Sequence, residues 1–418
     1  MGERLLTAPI AGVGAEAKYF LIAFIYRFDD ATQWKEMSVK ALARSLDVTP
    51  GAASRARKAL IEHQCLECRK APTGGRPTLG LKVNQGLSSK LGDLSTSVSH
   101  HGPVLRHLFS GDEANRTPAS SNELLRPQLR LLLATLFAHA NELGLVDNLG
   151  LAQLRQLLGE DDEEKVDRWL KQLLQLGFIR RKIAGLSDSL YADTKVTSSY
   201  ILNLNHPGLA SAGCSSPVVA FYGEAMRSEE SRHGFAERFA RVQGEFQGLG
   251  RTYEMLVWKI YQGVSLLLSN HWSVLGESVR LPQIDGLEKV MTESLHAPGK
   301  DDSSLEVMVA EMCWWAFHLA SRVKNRIAGD SAFASLVGRR VLAFPAKNRD
   351  TDDSMTLVFA KEPKGEGPEC IVSLSGTKGH VEIWTKESDL SRELGIPRAL
   401  GHPFHEHLDS DSTLTWTP

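Results

Sequence analysis

The amino-acid sequence predicts a mainly α-helical chain with small β elements, an α+β fold. Three observations predict it. Apolar residues recur at helical spacing over long runs, among them 127–143, 253–270 and 305–327. Alternating residues mark four short strands near the C-terminus, at 339–344, 355–360, 370–373 and 380–384, expected to form a small antiparallel sheet. Two stretches upstream, 38–83 and 125–209, each run through helices into a pair of strands. A chain of 418 residues has room for two to four domains, and 42% apolar content supports packed cores.

The first domain is expected over 1–83. A helix from about Ala15 to Phe28 packs behind a short helix (Val39 to Leu46), a tight turn (Asp47 to Thr49) and a second helix (Pro50 to about His63). Thr49 is a natural N-cap, and Pro50 takes the first helical position, where a missing N–H is harmless. Leu42, Ala43, Leu46 and Val48 form the apolar side of the short helix and turn. Ala53, Ala56 and Leu60 follow three-then-four spacing, and the small alanines let the helices approach closely. Gly51, Ala52, Arg55 and Lys58 lie on the opposite face. Two strands then flank a loop whose Gly74 and Gly75 permit a tight bend, with Arg76 at its tip.

Charge gives this stretch its chemistry. Residues 38–82 hold Lys40, Arg44, Arg55, Arg57, Lys58, Arg69, Lys70, Arg76 and Lys82 against Asp47, Glu62 and Glu67. Nine cations and three acids make the segment +6 in a chain of net charge −2. Such asymmetry is the electrostatic footprint of phosphate binding. Arg55 is the first candidate for a base edge, because a guanidinium pairs bidentately with guanine. Ala52 suits a thymine methyl, Ser54 and Lys58 suit phosphates, and Arg76 suits the minor groove. Thr49, Lys40, Arg44 and Lys70 complete the candidate DNA-binding set.

These residues carry a resemblance. Residues 15–83 resemble the winged helix-turn-helix family, in particular its MarR-like branch of bacterial regulators. The likeness rests on Ala41-Leu42-Ala43, Val48-Thr49-Pro50, Ser54-Arg55, Leu60 and the Gly-rich wing. It implies a helix from Pro50 seated in the major groove, a wing on the flanking groove, and DNA read where Ala52, Ser54 and Arg55 stand. One position departs from the pattern. The family commonly has an apolar residue where Arg57 stands, so Arg57 either turns out to a phosphate or shifts the helix packing.

The remaining chain divides by pattern. Residues 84–124 read as a flexible linker rich in Ser, Gly and Thr, with 103–109 able to make one helical turn that docks. Residues 125–210 read as a second domain of the same element order, with a weaker winged-helix resemblance. Its helices are expected at Pro127 to Leu143, closed by Gly144, at Leu149 to Leu158, and at Glu163 to Leu176. The third helix buries Val166, Trp169, Leu170, Leu173 and Leu174. It opens with Glu160-Asp161-Asp162-Glu163-Glu164, which suits the helix dipole and repels phosphate. This points the helix at 160–176 toward a second protein partner or a positioning role rather than toward DNA. Residues 215–330 read as helical, including 235–247, and as a possible dimerisation region. Trp258, Trp314, Trp315 and Phe317 read as packing residues. The small sheet is expected over 335–386 and a polar tail over 387–418.

Other constellations carry less. Cys65-Leu66-Glu67-Cys68 is a lone CxxC, and its cysteines face opposite sides of an extended segment, so it reads as structural. His402, His405 and His407 cluster in the tail and read as chance histidines. No phosphate-binding loop, GxSxG elbow or HExxH motif is present, so no catalytic residue, metal or cofactor is assigned. No signal peptide is visible, and five cysteines without a framework suggest a reducing compartment, so a cytoplasmic location is expected. The leading reading is a sequence-specific, homodimeric transcription regulator that binds double-stranded DNA and is not an enzyme. The alternatives are a replication or partition initiator of a plasmid or other mobile element with tandem winged helices, and a protein-contact scaffold or anti-repressor.

Overall fold

A computed structural model describes residues 1–28, 30–70, 79–90, 99–110, 125–147, 149–185, 197–212, 217–222, 250–276, 283–293, 302–329, 336–345, 355–360, 370–374 and 380–384. The fold is mainly α with small β elements, as the patterning predicts. A helix α1 (Gly2–Thr7) precedes the first unit, which runs α2 (Ala15–Arg27), β1 (Lys35–Met37), α3 (Val39–Ser45), α4 (Pro50–Glu62), β2 (Leu66–Lys70) and β3 (Leu79–Val83). Its antiparallel sheet has the order β1-β3-β2. β1 is too short for a periodic signal, and the sequence reading did not include it.

After α5 (Gln85–Lys90) and α6 (Gly102–Ser110), the second unit repeats the first. It runs α7 (Pro127–His139), β4 (Leu145–Val146), α8 (Leu151–Leu158), α9 (Glu163–Gln175), β5 (Ile179–Ile183) and β6 (Ser199–Leu202), with sheet order β4-β6-β5. The helix expected to reach Leu143 ends at His139. Asn141 explains why: its side-chain oxygen accepts from the backbone N–H groups of Leu143 and Leu145, and this turns the chain into β4. Gly144, expected to close that helix, lies in this turn with φ +81°. On α9, Val166, Leu170 and Leu173 are buried, while Trp169 and Leu174 are only half-buried.

The two units share one hydrophobic core. α2 and α7 form its spine, with α1 and α6 packed against both. Part of the stretch expected as a flexible linker is therefore structural. Val104, Leu105, Leu108 and Phe109 of α6 are buried, and Phe109 stacks on Tyr26 with ring centroids 5.3 Å apart. Two polar clamps cross the join. The Lys18 amino group, on α2, is fully buried and donates to the carbonyls of Ala8 (2.7 Å) and Leu157, in the last turn of α8. Burial pulls its pKa down to about 7. Arg130, on α7, makes a 2.7 Å ion pair with Asp47, in the turn between α3 and α4. Each clamp starts from the fourth residue of one unit's first helix; Lys18 reaches the last turn of α8, and Arg130 reaches the turn between α3 and α4.

Asp47 holds a left-handed backbone, φ +53°, and the Arg130 side chain above it is only 12% exposed. Arg130→Ala is expected to destabilise the protein by about 1–3 kcal/mol, the range between an exposed and a buried pair. Asp47→Gly removes the same pair but relieves the left-handed strain, so chemical denaturation should show a smaller loss for it.

The C-terminal half forms a second core. Its elements are β7 (Val218–Tyr222), α10 (Gly250–Asn270), α11 (Leu287–Thr292), α12 (Asp302–Ala328), β8 (Val341–Pro345), β9 (Met355–Phe359), β10 (Cys370–Leu374) and β11 (His380–Trp384). The expected sheet gains a fifth strand: β7 lies at its centre in the order β11-β10-β7-β9-β8. The β7–β10 pair is parallel, so the sheet is mixed rather than wholly antiparallel. Residues 217–222 escaped a strand reading because Val218, Val219 and Ala220 form an unbroken apolar run without alternation, as a central strand does. The helices expected over 215–330 and the sheet expected over 335–386 share this one core. The helix expected at 235–247 lies outside the described residues. Trp258, Trp315 and Phe317 are buried as expected, but Trp314 is 37% exposed.

The halves pack on one another through β6. β6 is buried on both faces, with Tyr200 and Leu202 in the first core and Ile201 in the second. Arg340 adds a 2.8 Å ion pair with Glu142.

Candidate nucleic-acid interface

The helix–turn–helix geometry follows from local chemistry. Ser38 caps α3, its hydroxyl accepting from Ala41 N–H at 3.1 Å. Thr49 caps α4, accepting from Ala52 N–H at 3.2 Å, and Pro50 begins the helix. Ala53, Ala56 and Leu60 are buried against α2 and α3. That seating fixes which residues of α4 face outward.

Among the candidates, Lys40, Arg44, Thr49, Ser54, Arg55 and Lys58 are exposed and Ala52 is half-buried. Lys40 and Arg44 on α3 and Lys58 on α4 make no ion pair among the described residues. Arg55 is held differently. Its Nη2 donates to both carboxylate oxygens of Glu16, at 3.1 and 3.2 Å, with the Arg55 side chain 70% exposed. An exposed pair of this kind is weak and exchanges readily for a stronger acceptor. Glu16, on the first turn of α2, thus orients the guanidinium over the outer face of α4. Nothing local in the sequence links residues 16 and 55.

Arg57 does not turn out to solvent. It is half-buried, and its Nε and Nη1 are shielded from water without a hydrogen-bond partner. Arg76 and the Lys70 side chain lie outside the described residues. On the hairpin, Arg69 pairs with Glu36 (2.8 Å) and Lys82 with Glu67 (2.9 Å), and both cations sit over the Trp34 ring, at 4.5 and 4.9 Å from its centroid. These two bases are locally neutralised, so the uncompensated charge gathers on α3 and α4. Trp34 and Glu36 were missed because partners 30 and more residues apart leave no spacing signal.

The corresponding helix of the second unit has opposite chemistry. Asp162 caps α9, accepting from Lys165 N–H at 3.2 Å, and Asp161, Asp162, Glu163 and Glu164 are all exposed. Lys165 and Lys171 are tied to Glu160 and Asp167 at 2.9 Å each, and Lys182 of β5 joins Asp167 at 2.8 Å. Those hydrogen bonds, led by Lys182, hold the Asp167 carboxyl below its ordinary pKa.

Cys65 is buried and Cys68 exposed, both as free thiols. His101 is buried, stacks edge-on against Phe137, and meets the Asn141 carbonyl at 2.8 Å. The tail histidines 402, 405 and 407 lie outside the described residues. Among the described residues, no group of three or more His, Cys, Asp or Glu could hold a metal ion. No helix among them is long and apolar enough to cross a membrane. Comparison with protein-family models, curated proteins and solved structures finds no match to the chain.

Proposed function

We propose that the chain binds double-stranded DNA in a sequence-dependent way through α4, and acts as a transcription regulator. Both units are read as winged helix-turn-helix folds, on the strength of their shared element order and sheet order. One observation carries the functional reading. The exposed face of α3 and α4 gathers Lys40, Arg44, Ser54, Arg55 and Lys58, and its cations other than Arg55 are unpaired among the described residues. The second unit carries exposed acids at the equivalent place. The first unit then meets DNA while the second braces it. Lys40, Arg44 and Lys58 supply salt-dependent affinity, and Arg55 exchanges Glu16 for a base edge.

Selection of bound sequences from a random duplex pool tests this reading. Arg55→Ala is expected to weaken the selected site by about 1–3 kcal/mol and to relax one base position. Lys58→Ala should weaken all sequences alike and reduce the slope of log K against log salt by about 1. Undiminished selectivity in Arg55→Ala would take the base-reading role away from Arg55, and no enrichment of any site by the parent protein would leave the protein-contact scaffold as the reading.

A second reading is favoured by the shared core. The two units are clamped to each other at Lys18 and Arg130 and cannot dock independently. Such a fixed pair suits a replication or partition initiator that lays both units along one long site. A footprint spanning long direct repeats supports that reading, and a short palindrome supports the regulator.

A further inference from the structure

Glu16 holds the nitrogen that Arg55 needs in order to grip a base. The Arg55 Nη2 lies 3.1 and 3.2 Å from the two Glu16 carboxylate oxygens, and neither side chain makes another ion pair or hydrogen bond among the described residues. A guanidinium can set two parallel N–H bonds on a base along either of two edges, Nη1 with Nη2 or Nε with Nη2. Both edges include Nη2. The Glu16 carboxylate and a base edge therefore compete for one nitrogen.

The carboxylate is the fixed member of the pair. Ala15, Ala17 and Lys18 around Glu16 are all buried, and α2 packs directly on α4. Glu16 stands in the first turn of α2, where a negative charge suits the helix dipole. Arg55 is the member that can leave, its side chain being 70% exposed against 35% for Glu16.

We propose that Glu16 sets how sharply Arg55 discriminates between bases, an inference that rests on the reading of α4 as the DNA-reading helix. On the correct base, Arg55 gives up Glu16 and grips the base edge, so binding is weakened by the strength of the pair. On a wrong base the grip fails, and Arg55 stays on Glu16 with nothing lost. An arginine without this second partner would be left unpaired beside the wrong base, the condition under which polar contacts discriminate most. The pair thus lowers affinity for the correct site and spares the wrong one. Glu16 makes the protein tolerant at the one base position that Arg55 reads. Because an exposed pair is weak, the effect is a few-fold.

The test is equilibrium binding of the full chain, at fixed salt, to the duplex selected from a random pool and to the same duplex changed at the base pair that Arg55→Ala relaxes. Glu16→Ala is expected to raise the ratio of the two affinities by about 1.5- to 5-fold. Glu16→Gln, which keeps a neutral acceptor and disturbs the start of α2 least, should raise it less. Removing an acid beside DNA also tightens all sequences alike, so the ratio and not the affinity is the readout. In an Arg55→Ala background, Glu16→Ala should leave the ratio unchanged. A ratio that Glu16→Ala leaves level or lowers, in a protein whose selectivity does depend on Arg55, overturns the proposal alone; a lowered ratio would make Glu16 a brace for Arg55. So does a ratio that still rises without Arg55, or selectivity that Arg55→Ala does not touch. A parent protein that prefers no duplex overturns both the proposal and the reading beneath it.

Discussion

Replacing Lys18 by Met is expected to flatten the dependence of stability on pH between 7 and 10. The Lys18 amine is fully buried, and burial draws its pKa from 10.5 to about 7. In that window the unfolded chain holds the proton and the folded chain does not, so stability rises with pH. The rise is about 3–4 kcal/mol from pH 7 to pH 10, and below pH 7 the contribution is level at its lowest. The neutral amine keeps two N–H groups, enough for both the Ala8 and the Leu157 carbonyl. Met retains the stem but leaves both carbonyls unsatisfied, at about 1–3 kcal/mol each. Near pH 7 that loss roughly offsets the gain from removing a buried base, so the two proteins should be of similar stability. At pH 10 the variant should be clearly weaker, by about 2–4 kcal/mol. Urea unfolding at pH 7, 8.5 and 10 gives the comparison. Parallel curves for the two proteins would mean that Lys18 is solvated or charged throughout, and that the join between the units is looser than its burial indicates.

The first unit was legible because its signals are local. Thr49-Pro50 sets the start of α4, and the spacing of Ala53, Ala56 and Leu60 sets its inner face. The exposed candidates Ser54, Arg55 and Lys58 follow from that face, and Lys40 and Arg44 from the inner face that Leu42 and Ala43 give α3. What was not legible depends on distant pairing. Glu16 meets Arg55 across 39 residues, and Lys18 meets Leu157 across 139. No periodicity encodes such contacts, so the two units read as separate beads when they share a core. The fifth strand was lost for a related reason. β7 becomes recognisable only beside β9 and β10, both more than 130 residues downstream. The second unit shows that architecture and chemistry separate: α9 repeats the place of α4, but Asp161 to Glu164 stand exposed at its N-terminal end.

Gly159→Ala is expected to open the same join from the backbone side. Gly159 follows α8 with φ +70°, a left-handed conformation that costs an L-residue about 1–2 kcal/mol. A Cβ there would also stand far inside van der Waals contact with the Val13 carbonyl oxygen, and 3.4 Å from the Gly14 carbonyl carbon. Neither neighbour is a side chain that can swing away. The segment carrying them leads directly into α2, so relief requires α2 to shift against α8 and to loosen the Lys18 contact with Leu157. Together the two effects should destabilise the protein by more than about 3 kcal/mol, in the range of overpacked interiors. Gly338 supplies the control. It has φ +77° but nothing within 4 Å of where a Cβ would stand. Gly338→Ala should therefore show only the backbone strain, about 1–2 kcal/mol. Hydrogen exchange separates the effects further, because Gly159→Ala should raise exchange along α2 and α8 while α10 and α12 stay protected. Equal losses for the two glycine variants would mean that the Val13 backbone does not press on α8, and the two units would then be joined by side chains alone.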